Sequence, residues 1–308
     1  MIKRTFIALL LLLVACYVVQ FCYSRAHRKS AIGICKKYNE VFNGNSHFDV
    51  VYFGSSRTAF HFNPSLINLG DSISQFNAGI SGVETSVNMA VIKEFIKSHN
   101  YKPNYAVVNF DFFFWKRPHD GVLSGYTRFI PYLNNDILYK AVCQMDKRFF
   151  FFNYFSPYTL VHLNDSRYYD WYRFSTGNKI AIDNDYLSNG FETYLKKTQE
   201  PFFVIKDKLQ PNLFRERQLS AAKEIFQFFE DNNIKLIPII TPIYSKNKAL
   251  IMGDSSHFNL LSDLCDQYNT PLLNYFDLDL NNQKLNFYDE LHLNLKGVEQ
   301  FSKIVEKD

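Results

Sequence analysis

The stretch Asp49–Asn63, DVVYFGSSRTAFHFN, decides how the rest of this chain is interpreted. Its run Val50–Phe53 is β-branched and aromatic, and it stops at Gly54. An apolar run of this length that ends at a glycine indicates a buried strand entering a turn. Two serines and an arginine follow at once, at the carboxyl end of the predicted strand, where open α/β sheets place their chemistry. Taken alone, the same residues also fit a plain serine-rich turn.

Further strands and helices alternate along the chain after this stretch. The additional predicted strands are Ser74–Asn77, Tyr105–Phe110, Ile234–Ile240 and Pro271–Tyr275. The predicted helices are a partly helical lead-in Ser30–Asn45, then Glu84–His99, Leu213–Asn233, Phe258–Tyr268 and Leu295–Glu306. Pro238 argues against the fourth strand, because proline lacks the N–H that a ladder uses. The alternation predicts an α/β fold with a mostly parallel, five-stranded sheet and helical crossovers.

The alternation stops over residues 112–211, where no clean period emerges. Aromatic residues crowd this stretch, in clusters such as Phe149–Phe155 and Tyr168–Phe174. A structureless loop of about 100 residues is improbable in a compact domain, so we expect an inserted subdomain or lid within a domain 30–308. The aromatic side chains fit ordinary core packing. They also fit a platform for sugar rings or a surface for a membrane partner.

The N-terminal segment, residues 1–29, predicts a membrane anchor. The run Thr5–Tyr23 carries no charge, and basic residues flank it on both sides. Its length is close to the roughly 20 residues that a helix needs to span a bilayer. Two alternatives stay open: Leu13–Cys16 matches a bacterial lipoprotein box that would be cleaved before Cys16, and the run also fits a buried core helix. The anchor and the lipoprotein both place the bulk of the chain outside the cytoplasm, tethered to the membrane.

Composition excludes some classes of function. The 308 residues carry a formal net charge of +4 without a basic stripe, which argues against nucleic acid as a partner. The five cysteines include no C-x-x-C pair, so neither a zinc cluster nor a dense disulfide framework is predicted. No motif in the chain predicts a metal or a cofactor.

A base for a serine nucleophile stands just before the last predicted helix. Asp289 precedes His292 by three residues in a loop, so its carboxylate can contact one ring nitrogen while the other faces outward. That contact fixes the tautomer and stabilises the imidazolium that forms when the histidine takes a proton. A serine hydroxyl is a poor nucleophile at neutral pH and needs such a base. In isolation, the spacing also fits a surface carboxylate beside an ordinary loop histidine.

A third motif is the loop Asn77–Gly82, NAGISG, between a predicted strand and a predicted helix. A glycine-bearing loop in this place can aim backbone N–H groups at a developing oxyanion. It also fits a plain strand-to-helix turn.

Together the three motifs resemble the SGNH/GDSL hydrolase superfamily. In that family a serine follows the first strand in a G-D-S-like box, a glycine in an N-x-x-x-S-G loop gives an oxyanion amide, and a late D-x-x-H completes the triad. Gly54-Ser55-Ser56 matches the first box with serine in place of aspartate. The resemblance implies a catalytic triad of Ser56, His292 and Asp289, with the backbone of Ser56 and Gly82 as oxyanion donors. It also implies a three-layer α/β/α sandwich of the flavodoxin-like type.

At one box this chain departs from the family pattern. The family carries an asparagine just after the third strand, in G-x-N-D, whereas this strand runs into Asn109-Phe110-Asp111. Asn109 is expected within the strand, and an ionised Asp111 cannot donate. Either another group substitutes, Asn109 reaches the oxyanion, or activity is low, since one lost donor costs on the order of 3–4 kcal/mol. Arg57, beside the nucleophile, is a candidate for binding an anionic substrate group or for pairing with Asp111.

The tether and the domain together resemble the anchored proteins of cell-envelope O-acylation, such as alginate acetylation proteins and the D-alanylation protein of teichoic acids. The resemblance implies an ester hydrolase or O-acyltransferase acting on an extracytoplasmic carbohydrate, with an acyl donor and a membrane-bound acyltransferase among its candidate partners. One alternative is a catalytically degenerate, membrane-anchored binding partner of such an acyltransferase. Another is a flavodoxin-like phosphate loop at Gly54–Arg57. The literal string Gly253-Asp254-Ser255 is interpreted as a helix-start turn, because no N-x-x-x-S-G loop follows it.

Overall fold

The computed structural model of the chain describes residues 2–31, 33–110, 115–116, 126–162, 188–192, 198, 210–211, 215–247 and 256–308. Three sequence predictions fall outside the described residues. They concern Asp111, the cluster Tyr168–Phe174 and the string Gly253-Asp254-Ser255.

Helices and strands alternate through most of the described chain. The α-helices are α1 (Ile2–Lys29), α2 (Gly33–Asn43), α3 (Ser56–His61), α4 (Thr85–Ser98), α5 (Asp136–Met145), α6 (Phe149–Tyr154), α7 (Ser156–His162), α8 (Arg215–Asp231), α9 (Ser256–Gln267) and α10 (Leu295–Val305). The strands are β1 (Val50–Phe53), β2 (Gln75–Asn77), β3 (Tyr105–Asn109), β4 (Trp115–Lys116), β5 (Gln210–Pro211), β6 (Lys235–Ile240) and β7 (Leu273–Asn274). The predicted helices and the five predicted strands are confirmed, with ends that shift by a few residues. Helix α3 replaces part of the expected turn after β1, because six residues are too few to show a helical period in the sequence.

Among the described residues, five strands form an all-parallel sheet in the order β2-β1-β3-β6-β7. The predicted parallel α/β sheet is therefore confirmed. Val51 and Phe53 of β1 lie in one buried cluster, while Val50 and Tyr52 lie in a second. Because successive side chains of a strand point to opposite faces, both faces of the sheet are covered. The carboxyl ends of β1, β2 and β3 consequently meet at one edge, where Ser56 follows β1.

Pro238 is accommodated inside β6, opposite Val108 of β3. The carbonyl of Ile239 accepts from Phe110 on the β3 side, and the carbonyl of Ile240 accepts from Tyr275 on the β7 side. Since these directions alternate along a strand, Pro238 faces the same side as Ile240. The short strand β7 pairs only with Ile239 and Ile240. The proline therefore stands where the ladder to β7 has not yet begun.

Five described aromatic residues of the segment 112–211 are buried in the same core as α2 and α4. The buried ones are Tyr126, Phe129, Tyr132, Phe149, Phe152 and Phe191, and all but Phe191 lie in the cluster that contains α2 and α4. For these rings the interpretation as core packing is confirmed. Helix α1 is of a length and composition that would allow it to cross a membrane.

Candidate active site

Ser56, His292 and Asp289 lie in hydrogen-bond contact at the carboxyl edge of the sheet. Ser56 is the first residue of α3, directly after the turn that leaves β1. Its Oγ is 2.8 Å from His292 Nε2. The opposite ring nitrogen, Nδ1, is 2.9 Å from both carboxylate oxygens of Asp289. The structure thus brings together a hydroxyl and an imidazole that stand 236 positions apart in the chain.

The Asp289–His292 loop is held by its own backbone. The backbone N–H groups of Leu291 and His292 both donate to Asp289 Oδ1, each at 2.9 Å. The Tyr288 N–H donates to the His292 carbonyl at 2.8 Å, which closes the turn. Asn294 then caps α10, its side chain accepting from the Gly297 N–H. These backbone hydrogen bonds hold the Asp289 carboxylate in place independently of its contact with the His292 ring.

A glycine is required at the turn between β1 and α3. Gly54 has a φ of +149°, a region that residues with a Cβ rarely adopt. A Cβ at this position would lie 2.1 Å from Thr58 Oγ1. The Thr58 hydroxyl donates back to the Phe53 carbonyl at 3.2 Å, so it has little freedom to move. This close turn presents Ser56 at the edge of the sheet.

The predicted oxyanion loop packs directly against α3. Asn77 fastens the two together, because its Nδ2 donates to the carbonyls of Thr58 at 2.8 Å and Phe62 at 2.6 Å. The Ile80 N–H donates to the Gly54 carbonyl at 2.9 Å. Gly82 follows with a φ of +72°, in the left-handed region. The asparagine of the N-x-x-x-S-G motif is thus the residue that ties this loop to the helix bearing Ser56.

Asn109 ends β3, as expected. Its Oδ1 accepts from the Thr241 N–H at 3.2 Å, and this bond fixes which end of the amide carries the oxygen and which carries the donor Nδ2. The side chain flanks the Gly54 turn, with its Cβ 3.2 Å from the place of a Cβ on Gly54. Arg57 is buried rather than at the surface, and its Nη1 donates to the Thr241 carbonyl at 3.5 Å.

The electrostatics of the site favour an ionised acid behind the histidine. Burial of the Asp289 carboxyl would by itself raise its pKa. Hydrogen bonds from the His292 ring and from two backbone N–H groups, with the charge of the ring, outweigh that effect and lower the pKa below its usual value. The side chains of His292 and Asp289 are 15% and 21% exposed, so a ligand can reach the ring.

Two aromatic residues of α3 also support His292, and the sequence did not single them out. His61 is fully buried, and its Nε2 accepts from the Leu293 N–H at 3.1 Å. Burial, with the charges of His292 and Arg57, lowers the pKa of His61 well below its usual value. The Phe60 ring packs edge-on against the His292 ring at 5.5 Å between centroids. The sequence feature that could have indicated these two residues is the run Ala59–Phe62, AFHF, which begins about one helical turn after Ser56.

Glu192, within the segment 112–211, bridges three parts of the site and was not predicted. Its N–H donates to the Ala59 carbonyl of α3 at 2.9 Å. Its carboxylate accepts from Lys37 Nζ of α2 at 2.8 Å and from the Ser81 hydroxyl of the loop Asn77–Gly82 at 3.4 Å. Burial lowers the pKa of Lys37, against the opposing effect of Glu192. Nothing in the sequence signals a pair of residues this far apart.

The order of these groups suits nucleophilic chemistry at a carbonyl. A hydroxyl contacts a base, and the base contacts a carboxylate. Among the described residues, no cluster of histidine, cysteine and acidic side chains could hold a metal ion. Comparison with known proteins finds no family model and no curated protein that matches this chain.

Proposed function

We propose that this chain is a membrane-anchored serine esterase or O-acyltransferase of the SGNH type, with Ser56, His292 and Asp289 as its triad. The observation that carries the proposal is the unbroken chain of contacts from Ser56 Oγ through the His292 ring to Asp289. We further propose that helices on both faces of the parallel sheet make the three-layer α/β/α sandwich that this family uses.

The proposed reaction proceeds through an acyl-enzyme. Ser56 Oγ attacks the carbonyl carbon of an ester while His292 Nε2 takes the hydroxyl proton. The oxyanion is stabilised by the backbone N–H groups of Ser56 and Gly82, with Asn109 as the candidate third donor. The intermediate collapses to acyl-Ser56, and His292 returns the proton to the departing alcohol. An incoming hydroxyl then gives its proton to His292 and takes the acyl group, which regenerates Ser56.

The acceptor hydroxyl decides whether the outcome is hydrolysis or transfer. Water gives an esterase, whereas a sugar hydroxyl gives an O-acyltransferase, and the same triad serves both. The anchor supports an extracytoplasmic carbohydrate as the substrate class, with the acyl donor supplied at the membrane. This part of the proposal rests on the apolar helix α1 and on the likeness to envelope acylation proteins.

A second function, a non-catalytic binding partner of a membrane acyltransferase, is favoured by one observation. Asn109 remains within β3 with its Oδ1 bonded to the Thr241 N–H, rather than following the strand as the family asparagine does. An oxyanion site without that donor stabilises the transition state less, by about 3–4 kcal/mol.

Ester hydrolysis by the purified full-length protein tests the proposal. Aryl acetates and an acetylated oligosaccharide serve as substrates. We expect Ser56→Ala and His292→Ala each to lower kcat by at least about 10³-fold, while Ser55→Ala, one position away, retains most of the activity. A well-folded wild type that binds the oligosaccharide but neither hydrolyses an ester nor transfers its acyl group to the oligosaccharide would overturn the enzyme in favour of the binding partner.

A further inference from the structure

The short helix α6 and the residue after it expose several aromatic rings, although two rings of the helix are buried in the core. The buried rings are Phe149 and Phe152, which are completely buried. The other aromatic rings of residues 149–155 are each 47% to 55% exposed, and we refer to them as the aromatic surface: Phe150, Phe151, Tyr154 and Phe155. Single exposed apolar residues are common, but a contiguous group marks an interaction surface. The group is contiguous here, since the Phe150 ring lies 5.7 Å from Phe151 and 4.9 Å from Tyr154.

The aromatic surface adjoins helix α1. The Tyr17 hydroxyl donates to the Tyr154 carbonyl at 2.7 Å, and Gln20 Nε2 donates to the Phe152 carbonyl at 3.1 Å. At this level α1 still exposes apolar side chains, with Val18 54% and Phe21 59% exposed. Exposed apolar side chains of α1 therefore lie at the same level along the helix as its contacts with the aromatic surface.

The position of this junction along α1 corresponds to a shallow depth in a bilayer. Tyr17 stands six residues before Tyr23, the last residue of the uncharged run, which is about 9 Å along a helix. Interfacial helices bury their apolar face about 5–10 Å into the boundary between headgroups and acyl chains. If the hydrocarbon ends at the level of Tyr23, whose own side chain packs in the protein core, then Tyr17 and the adjoining Tyr154 lie at that depth.

Cationic side chains border the apolar region where headgroups would lie. Lys147 and Arg148, both exposed, immediately precede α6, and Arg148 also pairs with Asp146. Arg25 and Lys29 are exposed at the carboxyl end of α1. Long basic side chains at such boundaries reach the lipid headgroups while their stems stay on apolar surface.

We propose that the aromatic surface inserts into the phospholipid leaflet at the carboxyl end of α1, as a second attachment beside the helix. Two attachments would fix the orientation of the domain, and with it the height of the Ser56 edge above the membrane. The inference does not depend on the chemistry of Ser56. It also holds if the chain is a lipoprotein processed at Cys16, because Tyr17 and Gln20 remain and the lipid chains would start one residue before Tyr17.

Tryptophan quenching by brominated lipids tests the insertion. Full-length Phe150→Trp and Tyr154→Trp are placed in bilayers of phosphatidylcholine with one quarter phosphatidylglycerol, with the lipid brominated near either end of the acyl chain. The matched control is Leu285→Trp, which replaces a residue that is 68% exposed. Wild-type fluorescence is subtracted, and thermal unfolding identifies any variant that fails to fold, in which case Phe151→Trp replaces it.

We expect the tryptophans in the aromatic surface to be quenched at least about twofold more than the control, and more by bromine near the glycerol end, as befits an interfacial depth. Adding Phe150→Ser and Phe151→Ser should reduce the quenching of Tyr154→Trp. Quenching equal to that of the control would overturn the proposal. That result would be expected if the aromatic surface contacts a membrane protein, which these pure lipid bilayers do not contain.

Discussion

Two contacts on the His292 ring decide which of its nitrogens carries the proton. Asp289 is an acceptor that faces Nδ1, so the neutral ring holds its proton there and presents Nε2 as the acceptor for the Ser56 hydroxyl. The depressed pKa of Asp289 keeps this carboxylate ionised at neutral pH. The direction of proton transfer in the proposed reaction follows from that single assignment.

Replacing the carboxylate by an amide tests the assignment. Asp289→Asn keeps the size of the side chain but allows its NH₂ to face Nδ1, which favours the wrong tautomer. We expect kcat for an aryl ester to fall by about 10⁴-fold, with little change in thermal stability. Asp279→Asn, at an exposed carboxylate, is the control. Equal rates for wild type and Asp289→Asn would show that Asp289 does not orient the base.

At the scale of elements, helix α3 and the loop before α10 hold Ser56 and His292 against each other. His61 joins them, because its Nε2 accepts from the Leu293 N–H next to His292. This contact requires an unprotonated Nε2. The low pKa of His61 in the folded protein therefore makes the stability of this junction depend on pH.

The sign of that dependence can be stated. The pKa of His61 is well below its usual value when folded and near 6.5 when unfolded. Between the two values the unfolded chain binds more protons, so the free energy of unfolding decreases as pH falls below about 6.5. We expect His61→Gln, whose amide oxygen can still accept from Leu293, to flatten this decrease. Denaturant titrations of both proteins across this range measure it, and an identical slope would refute the role of His61.

The turn between β1 and α3 makes a separate prediction. Gly54→Ala combines an unfavourable φ with a contact to Thr58 Oγ1, so we expect a loss of about 2–5 kcal/mol in unfolding free energy. Gly70→Ala is the matched control, since Gly70 also has a positive φ but a Cβ there would meet nothing within 4 Å. For Gly70→Ala the loss in unfolding free energy should be limited to the backbone strain, about 1–2 kcal/mol. Equal losses would mean that the contact with Thr58 is relieved at no cost.

The sequence predicted the elements better than their junctions. Four of the five strands were recognisable because each is a short, mostly apolar run next to glycine, proline or asparagine, and three motifs pointed to the candidate site of Ser56, His292 and Asp289. Helix α3 was missed because it is only six residues long. His61 and Phe60 were missed for the same reason, since their roles depend on a helix that turns them toward the His292 loop.

At the scale of the whole molecule, the parallel sheet brings the two ends of the domain to one edge. The segment 188–192 returns to that edge through Glu192, which contacts α3, the loop Asn77–Gly82 and Lys37 of α2. Such pairings are a property of the tertiary structure, and no local pattern announces them. The aromatic residues show the same limit: the sequence predicted both packing and a surface, and only the fold separates buried Phe149 from exposed Phe150.

Covalent capture with a fluorophosphonate tests most directly whether this fold activates Ser56. The full-length protein is treated at neutral pH, and the modified residue is located by mass spectrometry, with Ser56→Ala, His292→Ala and Ser55→Ala in parallel. We predict a phosphonyl adduct on Ser56 in wild type and in Ser55→Ala, and none in the other two variants. An unlabelled but folded wild type, or labelling that survives in Ser56→Ala or His292→Ala, would contradict the proposed triad.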